Sequence, residues 1–214
     1  MTGIETASAS AIVAILASSL SFSQRVTISE PKLEADEIGA SEGPSWKPDE
    51  QRLYFTGEGR ISRVGLSGPA ELFRDKANGA NGTLIDPEGR LIVCEAATRR
   101  VTRTELNGAI TVLADSYDGK RFNSPNDLSI DGVGRIYFTD PRYGKRDGME
   151  LPESVYRIDG PGMVRRILSI ADVERPNGIL VSPDGKHLYV ADNNNNTEGG
   201  ARKLWRFTLE LDGS

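Results

Sequence analysis

The stretch IDGVGRIYFTD, residues 130–140, combines a tight turn with an apolar strand. Its Asp-Gly pair supplies the positive φ angles that a short hairpin needs. Three other segments follow the same pattern: WKPDEQRLYFTG (46–57), IDPEGRLIVCE (85–95) and VSPDGKHLYVAD (181–192). The first apolar residue of each strand, here termed the anchor, recurs every 38 to 52 residues, at Leu53, Leu91, Ile136 and Leu188. An internal repeat of this length indicates a solenoid or a propeller.

Further strands complete each repeat. A second strand with an apolar residue two positions before an arginine follows every hairpin, at 61–63, 101–103, 155–157 and 204–206. An outer strand follows in three repeats, at 70–73, 109–114 and 164–169. Four strands in 40 to 50 residues are typical of a propeller blade. We therefore predict an all-β propeller of four-stranded antiparallel blades over residues 31–214, the alternative being four β-meanders in one sandwich.

The fourth repeat has no outer strand in this sequence, which ends in Leu211-Asp-Gly-Ser214. We expect a larger parent protein with five to seven blades, so that this chain is an incomplete propeller. Such a chain exposes an open sheet edge, which favours pairing or aggregation.

Composition excludes several function classes. The net charge is −5, whereas duplex binding requires clustered Lys and Arg, so no nucleic-acid partner is expected. The single cysteine, Cys94, allows no internal disulfide and is predicted to be a small buried hydrophobe. With His187 as the only histidine, a His-rich zinc site is excluded. The sequence has no Gly-x-Ser-x-Gly elbow, which argues against a serine hydrolase.

Residues 1–30 form either an N-terminal extension or a cleavable signal peptide. The apolar run at 11–20 is too short to span a bilayer, so no membrane span is expected. Ser21-Phe22-Ser23 fits a cleavage site with small residues at the key positions, but residues 1–10 contain no Lys or Arg and include Glu5. Export to the periplasm and a cytoplasmic location both remain open.

Polar side chains enter the first strand of each repeat at equivalent positions, 10 or 11 residues before the anchor: Glu42, Asn81, Asn126 and Asn177. The first strands of propeller blades line the central channel, so these residues are predicted to form a ring at one mouth of it. We call these four residues the oxygen ring. Carboxylate and amide oxygens suit Ca²⁺ or Mg²⁺ better than a soft metal. The alternative for the Asn residues is a turn role, since Pro-Asn-Gly and Pro-Asn-Asp are good turn sequences.

The second strand of each hairpin ends at the same mouth. The residue four positions after each anchor is Gly57, Glu95, Asp140 or Asp192. The three acids are candidates for holding a metal-bound water or acting as a base, or they only initiate turns. In the loop after Asp140, Arg142 and Tyr143 are candidates for contact with a polar substrate, although a solvent-exposed loop is the alternative.

Four of these motifs together resemble the gluconolactonase, senescence marker protein (regucalcin) and luciferin-regenerating family of six-bladed propellers: SEGPSW (41–46), NSPNDL (123–128), FTDPRYG (138–144) and RPNGI (175–179). The resemblance implies a divalent cation, usually Ca²⁺ or Zn²⁺, held by Glu42, Asn126 and Asn177. It also implies a fourth ligand, an Asp in a fifth blade that serves as the base. This sequence does not contain that blade, so the catalytic residue is left unassigned.

The combined expectation is a metal-dependent hydrolase that opens a sugar lactone. Ca²⁺ is the expected ion, with Zn²⁺ or Mg²⁺ as alternatives. Asn81, Asp140 and Arg142 are the candidate substrate-binding residues. Two alternatives remain open: a non-catalytic propeller that binds a sugar or a protein, and a phosphotriesterase or arylesterase on the same scaffold. The sequence does not give the lactone or the oligomeric state.

Overall fold

A computed structural model describes residues 39–195, 197–210, 212 and 213. The predicted N-terminal segment, residues 1–30, lies outside this range. The described residues form seventeen strands, and none of them belongs to a helix that is long and apolar enough to cross a membrane.

The strands belong to four antiparallel blades and one short hairpin. The first blade consists of β1 (Glu42–Lys47), β2 (Arg52–Gly57), β3 (Arg60–Gly65) and β4 (Glu71–Arg74). The second consists of β5 (Ala80–Ile85), β6 (Leu91–Glu95), β7 (Arg100–Thr104) and β8 (Ile110–Ala114). The hairpin is β9 (Ser116–Tyr117) and β10 (Lys120–Arg121). The third blade consists of β11 (Leu128–Ile130), β12 (Ile136–Asp140), β13 (Ser154–Gly160) and β14 (Met163–Leu168). The fourth consists of β15 (Pro176–Val181), β16 (His187–Asn193) and β17 (Arg202–Thr208).

Each blade is a simple meander, because its strands are hydrogen-bonded in chain order. The first strands of successive blades, β1, β5, β11 and β15, also contact one another in that order, which makes them the inner strands. The arrangement confirms the predicted propeller of four antiparallel blades and not a single sandwich. Within the described residues the fourth blade has three strands.

The β9–β10 hairpin has no counterpart in the other repeats and was not predicted. Its turn residues Asp118 and Gly119 both have positive φ angles, which is the conformation that an Asp-Gly hairpin turn adopts. The ring of Tyr117 lies 5.2 Å from that of Tyr156, so the hairpin covers the junction between the second and third blades.

The hydrophobic core lies between neighbouring blades. It is formed by side chains that alternate between the two faces of each strand. In β6, Leu91 and Val93 pack with Tyr54 of the first blade, whereas Ile92 and Cys94 join the cluster shared with the third. Successive residues of a strand point to opposite faces of its sheet, so one apolar strand serves both neighbours. Cys94 is fully buried, which confirms its predicted role.

The far face of the fourth blade is not covered by any described residue. Its apolar side chains remain accessible: Leu180 is 57% exposed and Leu204 is 73% exposed, beside Tyr189 and Ala191. These positions correspond to the face through which the third blade packs on the fourth. The described face therefore has the chemistry of a blade junction.

Candidate active site

The four residues of the oxygen ring lie at the same end of the inner strands. Glu42 is the first residue of β1, and Asn81 and Asn177 are the second residues of β5 and β15. Asn126 lies two residues before β11. The inner strands contact one another in sequence, so the ring residues enter neighbouring positions around one mouth of the propeller.

Main-chain contacts hold adjacent inner strands very close at this mouth. The Gly82 amide donates a 2.7 Å hydrogen bond to the Asn126 carbonyl, and the Thr83 hydroxyl donates a 2.5 Å bond to the Gly43 carbonyl. A Cβ at position 82 would lie only 2.7 Å from the Asn126 carbonyl oxygen. Glycine is therefore required where the second blade meets the third.

A threonine of one blade fixes the main chain of the ring residue in the next. The Thr56 hydroxyl donates to the Asn81 carbonyl at 2.8 Å, and the Thr139 hydroxyl donates to the Asn177 carbonyl at 2.6 Å. Both threonines lie three residues after their anchors, where the second blade has Cys94. This role was not predicted from the sequence, although the repeated Phe-Thr near the ends of β2 and β12 was a visible signal.

The third blade also uses a carboxylate to fix the main chain of the fourth blade. Asp127 Oδ2 accepts a 3.0 Å hydrogen bond from the Ile179 amide, and Ser129 Oγ accepts one of 3.0 Å from the Val181 amide. Burial raises the pKa of Asp127, and the hydrogen bonds from the Ile179 and Leu128 amides oppose that rise. Asp127 therefore joins two blades, a role that its place in a turn sequence did not indicate.

The side-chain oxygens of the ring contrast with its fixed backbone. Glu42 is exposed, and its carboxylate forms no hydrogen bond or ion pair with the described residues. The side-chain amides of Asn81 and Asn126 are likewise without a partner there. The Asn177 amide nitrogen donates to the Tyr143 hydroxyl at 2.9 Å, and its Oδ1 has no described partner. Carboxylate and amide oxygens are the donor type that hard divalent cations prefer, so the chemistry of these side chains suits the predicted site.

Only one carboxylate belongs to this donor set. Across residues 39–195, 197–210, 212 and 213, no group of three His, Cys, Asp or Glu side chains is arranged to hold a metal. The fit therefore depends on the amide oxygens. Because amides are neutral, they would leave most of the charge of a bound cation uncompensated.

Asp140 and Asp192 hold the segments that lead into the ring, and we call them the carboxylate clamps. Asp140 accepts hydrogen bonds of 2.8 to 2.9 Å from the Asn123 and Ser124 amides, which precede Asn126. Asp192 accepts bonds of 2.9 and 2.7 Å from the amides of residues 174 and 175, which precede Asn177. Burial raises the pKa of Asp140 to about 7. These contacts give both acids a positioning role, and substrate binding by Asp140 stays a prediction.

In the first two blades, the segment that leads into the ring is held by other groups. Glu95 is fully buried and accepts a 3.0 Å hydrogen bond from the Asn78 side chain, three residues before Asn81. Burial acts to raise the pKa of Glu95, but hydrogen bonds from Arg100, Thr98 and Asn78 outweigh it and lower that pKa. At the equivalent Gly57, a Cβ would lie 1.6 Å from the Gly39 carbonyl oxygen, so the backbone itself fills the place of a carboxylate.

Arg142 lies over the segment that leads to Asn126. Its Nη1 donates to the Asn123 carbonyl at 3.1 Å and its Nε to the Lys145 carbonyl at 2.7 Å. Carbonyl acceptors leave the guanidinium charge uncompensated, so Arg142 keeps a positive charge beside the mouth. Contact with a substrate stays a prediction.

Comparison with known proteins identifies the family. The family model described as the SMP-30/gluconolactonase/LRE-like region matches residues 40–214. The chain belongs to this family. The resemblance inferred from the sequence motifs is thereby confirmed.

Three relatives illustrate the similarity of this SMP-30/gluconolactonase/LRE-like chain to known proteins. A gluconolactonase of Zymomonas mobilis is 34% identical over 176 residues, covering 78% of this chain and 46% of the relative. A solved gluconolactonase of Xanthomonas campestris is 32% identical with a TM-score of 0.72, covering 80% of this chain and 59% of that one. The calcium-binding regucalcin of Agrobacterium tumefaciens is 19% identical with a TM-score of 0.62, covering 82% and 57%, and shares the fold. The chain thus spans about half the length of the Zymomonas gluconolactonase.

Proposed function

We propose that this chain is part of a metal-dependent lactonase that opens a sugar lactone. The observation that carries the proposal is the oxygen ring, whose backbone is fixed by bonds between blades while its side-chain oxygens remain available. Relatives named gluconolactonase, at 34% and 32% identity, support the same reaction class. Membership of a propeller family alone would not support it, since propellers host many functions.

Glu42, Asn126 and Asn177 would hold the divalent cation, with Ca²⁺ expected and Zn²⁺ or Mg²⁺ as alternatives. When bound, the ion supplies Lewis-acid polarisation of a carbonyl oxygen. The role of the protein chain is to keep the three oxygen donors in place. For the two Asn residues, bonds from Gly82 and Thr139 to the Asn126 and Asn177 carbonyls do this without using the Asn side chains.

The remaining candidates act on the substrate or its surroundings. The Asn81 amide would hydrogen-bond a sugar hydroxyl, and Arg142 would hold a polar oxygen at the rim. Asp140, if it contributes to binding, does so by holding the segment before Asn126. The base is not assigned to a residue of this chain, because Asp140 and Asp192 already accept backbone hydrogen bonds.

The test uses the full-length protein to which this chain belongs. Hydrolysis of an aldonolactone would be followed with and without EDTA and after Ca²⁺ is restored. E42Q and N126A are expected to lower kcat/KM by more than about tenfold, since E42Q removes the single carboxylate of the donor set and N126A removes one amide oxygen. E88Q is the matched control, because Glu88 lies in the exposed hairpin turn at the far end of β5.

The outcomes separate the alternatives. Turnover that EDTA does not affect would refute the metal role. Metal binding without turnover of any lactone or ester would favour a non-catalytic binding module. Faster hydrolysis of aryl esters or phosphotriesters than of lactones would favour the esterase alternative.

A further inference from the structure

We propose that Tyr143 is a positioning residue for the metal centre, because it holds the Asn177 amide so that Oδ1 is left for a cation. The inference rests on the proposed metal role of Asn177. It concerns a residue of the β12–β13 loop and not a member of the oxygen ring.

The contact itself is a hydrogen bond between two side chains that are 34 residues apart. Asn177 Nδ2 donates to Tyr143 Oη at 2.9 Å. An amide has one cation-binding atom, the carbonyl oxygen, on the side opposite its nitrogen. A partner that accepts from the nitrogen therefore leaves the oxygen free and fixes the plane of the amide.

Tyr143 is itself held by a buried ion pair. The Arg175 guanidinium lies 5.6 Å from the centre of the Tyr143 ring, a cation–π distance, and Arg175 Nε lies 3.1 Å from Glu153 Oε1. Glu153 also accepts a 2.8 Å hydrogen bond from the Arg142 amide and a 2.9 Å bond from Arg146. The side chains of Glu153 and Arg175 are 3% and 8% exposed. The phenol is thus placed against a buried ion pair that also holds the loop after Asp140.

The main chain of Asn177 does not depend on Tyr143. Its carbonyl is fixed by the Thr139 hydroxyl, and its segment is held by Asp192. Loss of the phenol oxygen should therefore free the amide without disturbing the strand. This separation predicts a variant that folds normally but binds the cation poorly.

The test is Y143F, in which the ring and its packing remain and only the hydroxyl is lost. Ca²⁺ affinity would be measured by titration calorimetry on the purified chain. Loss of an outer-shell partner of a metal ligand typically weakens metal affinity about 10- to 100-fold, and a Kd increase in this range is expected. Y189F is the matched control, because Tyr189 lies on the far face of the fourth blade, and its Kd should equal that of the wild type.

A second measurement reports the position of the phenol directly. Tb³⁺ replaces Ca²⁺ at oxygen sites and emits when a nearby tyrosine is excited. At saturating Tb³⁺, emission per bound ion should fall in Y143F and remain unchanged in Y189F. A role confined to folding would lower the unfolding temperature of Y143F and leave the Ca²⁺ Kd of the folded variant unchanged.

Two results would overturn the proposal: an unchanged Ca²⁺ affinity in Y143F, or a weaker affinity that comes with a less stable chain and unchanged emission. If neither the wild-type chain nor the full-length protein used in the activity test binds Ca²⁺ or Tb³⁺, the metal centre itself is wrong. That failure differs from a failure confined to Tyr143.

Discussion

The Thr139 hydroxyl in the third blade donates a 2.6 Å hydrogen bond to the main-chain carbonyl of Asn177 in the fourth. Thr56 makes the corresponding 2.8 Å bond to Asn81. Each bond passes from the second strand of one blade to the ring residue of the next. Blade packing and site geometry therefore depend on the same contacts.

Thr139→Val tests this coupling. Valine keeps the shape of the side chain but leaves the Asn177 carbonyl without its partner. Leaving a buried acceptor unsatisfied costs about 1–3 kcal/mol, so the free energy of unfolding should fall by about 2 kcal/mol, with weaker Ca²⁺ binding. Denaturant unfolding and calorimetry check both effects. Thr139→Ser keeps the hydroxyl and should retain Ca²⁺ binding, and equal affinities in the two variants would contradict the account.

Asp140 predicts a dependence of stability on pH. Burial raises its pKa from 3.8 to about 7, so the folded state holds this proton more tightly than the unfolded state. The contribution of the group to stability is present in full below about pH 4 and is lost as pH rises to about 7. The unfolding free energy of the wild type, relative to D140N, should therefore fall across this window, by at most about 1.4 kcal/mol per pH unit. A difference that stays constant or rises with pH would disprove the assignment.

Cys94 should be unreactive in the folded chain. Burial raises the pKa of its thiol well above the usual value, and the nearby charges of Asp127 and Asp140 act in the same direction. The thiolate is the reactive form, so DTNB should label no thiol at pH 8 in the native protein and one thiol after unfolding in guanidinium. Rapid labelling of the native protein would show that the junction between the second and third blades opens readily.

The blades could be predicted from the sequence because every pattern that indicates a blade is local. The hairpin turns, the alternating strands and the spacing to the anchors all lie within about twelve residues of one another. Local signals also placed Glu42, Asn81, Asn126 and Asn177 at equivalent positions. The β9–β10 hairpin was missed although its Asp118-Gly119 turn was visible, because it has no counterpart in the other repeats.

The chemistry of individual site residues was harder to predict, because it depends on contacts between distant segments. Asp140 receives its hydrogen bonds from amides 16 and 17 residues earlier, and these partners distinguish a buried clamp from an exposed base. Tyr143 and Asn177 are 34 residues apart, in different blades. No spacing rule joins such residues, so their roles became visible only with the side chains in place.

The most direct test of the oxygen ring is an anomalous-scattering measurement on crystals of the chain soaked in a terbium salt. The account predicts that the strongest anomalous peak lies about 2.3–2.6 Å from side-chain oxygens of Glu42, Asn126 and Asn177, the range that oxygen ligands of Ca²⁺ adopt. Terbium bound only at surface carboxylates, with no density among these three residues, would contradict it.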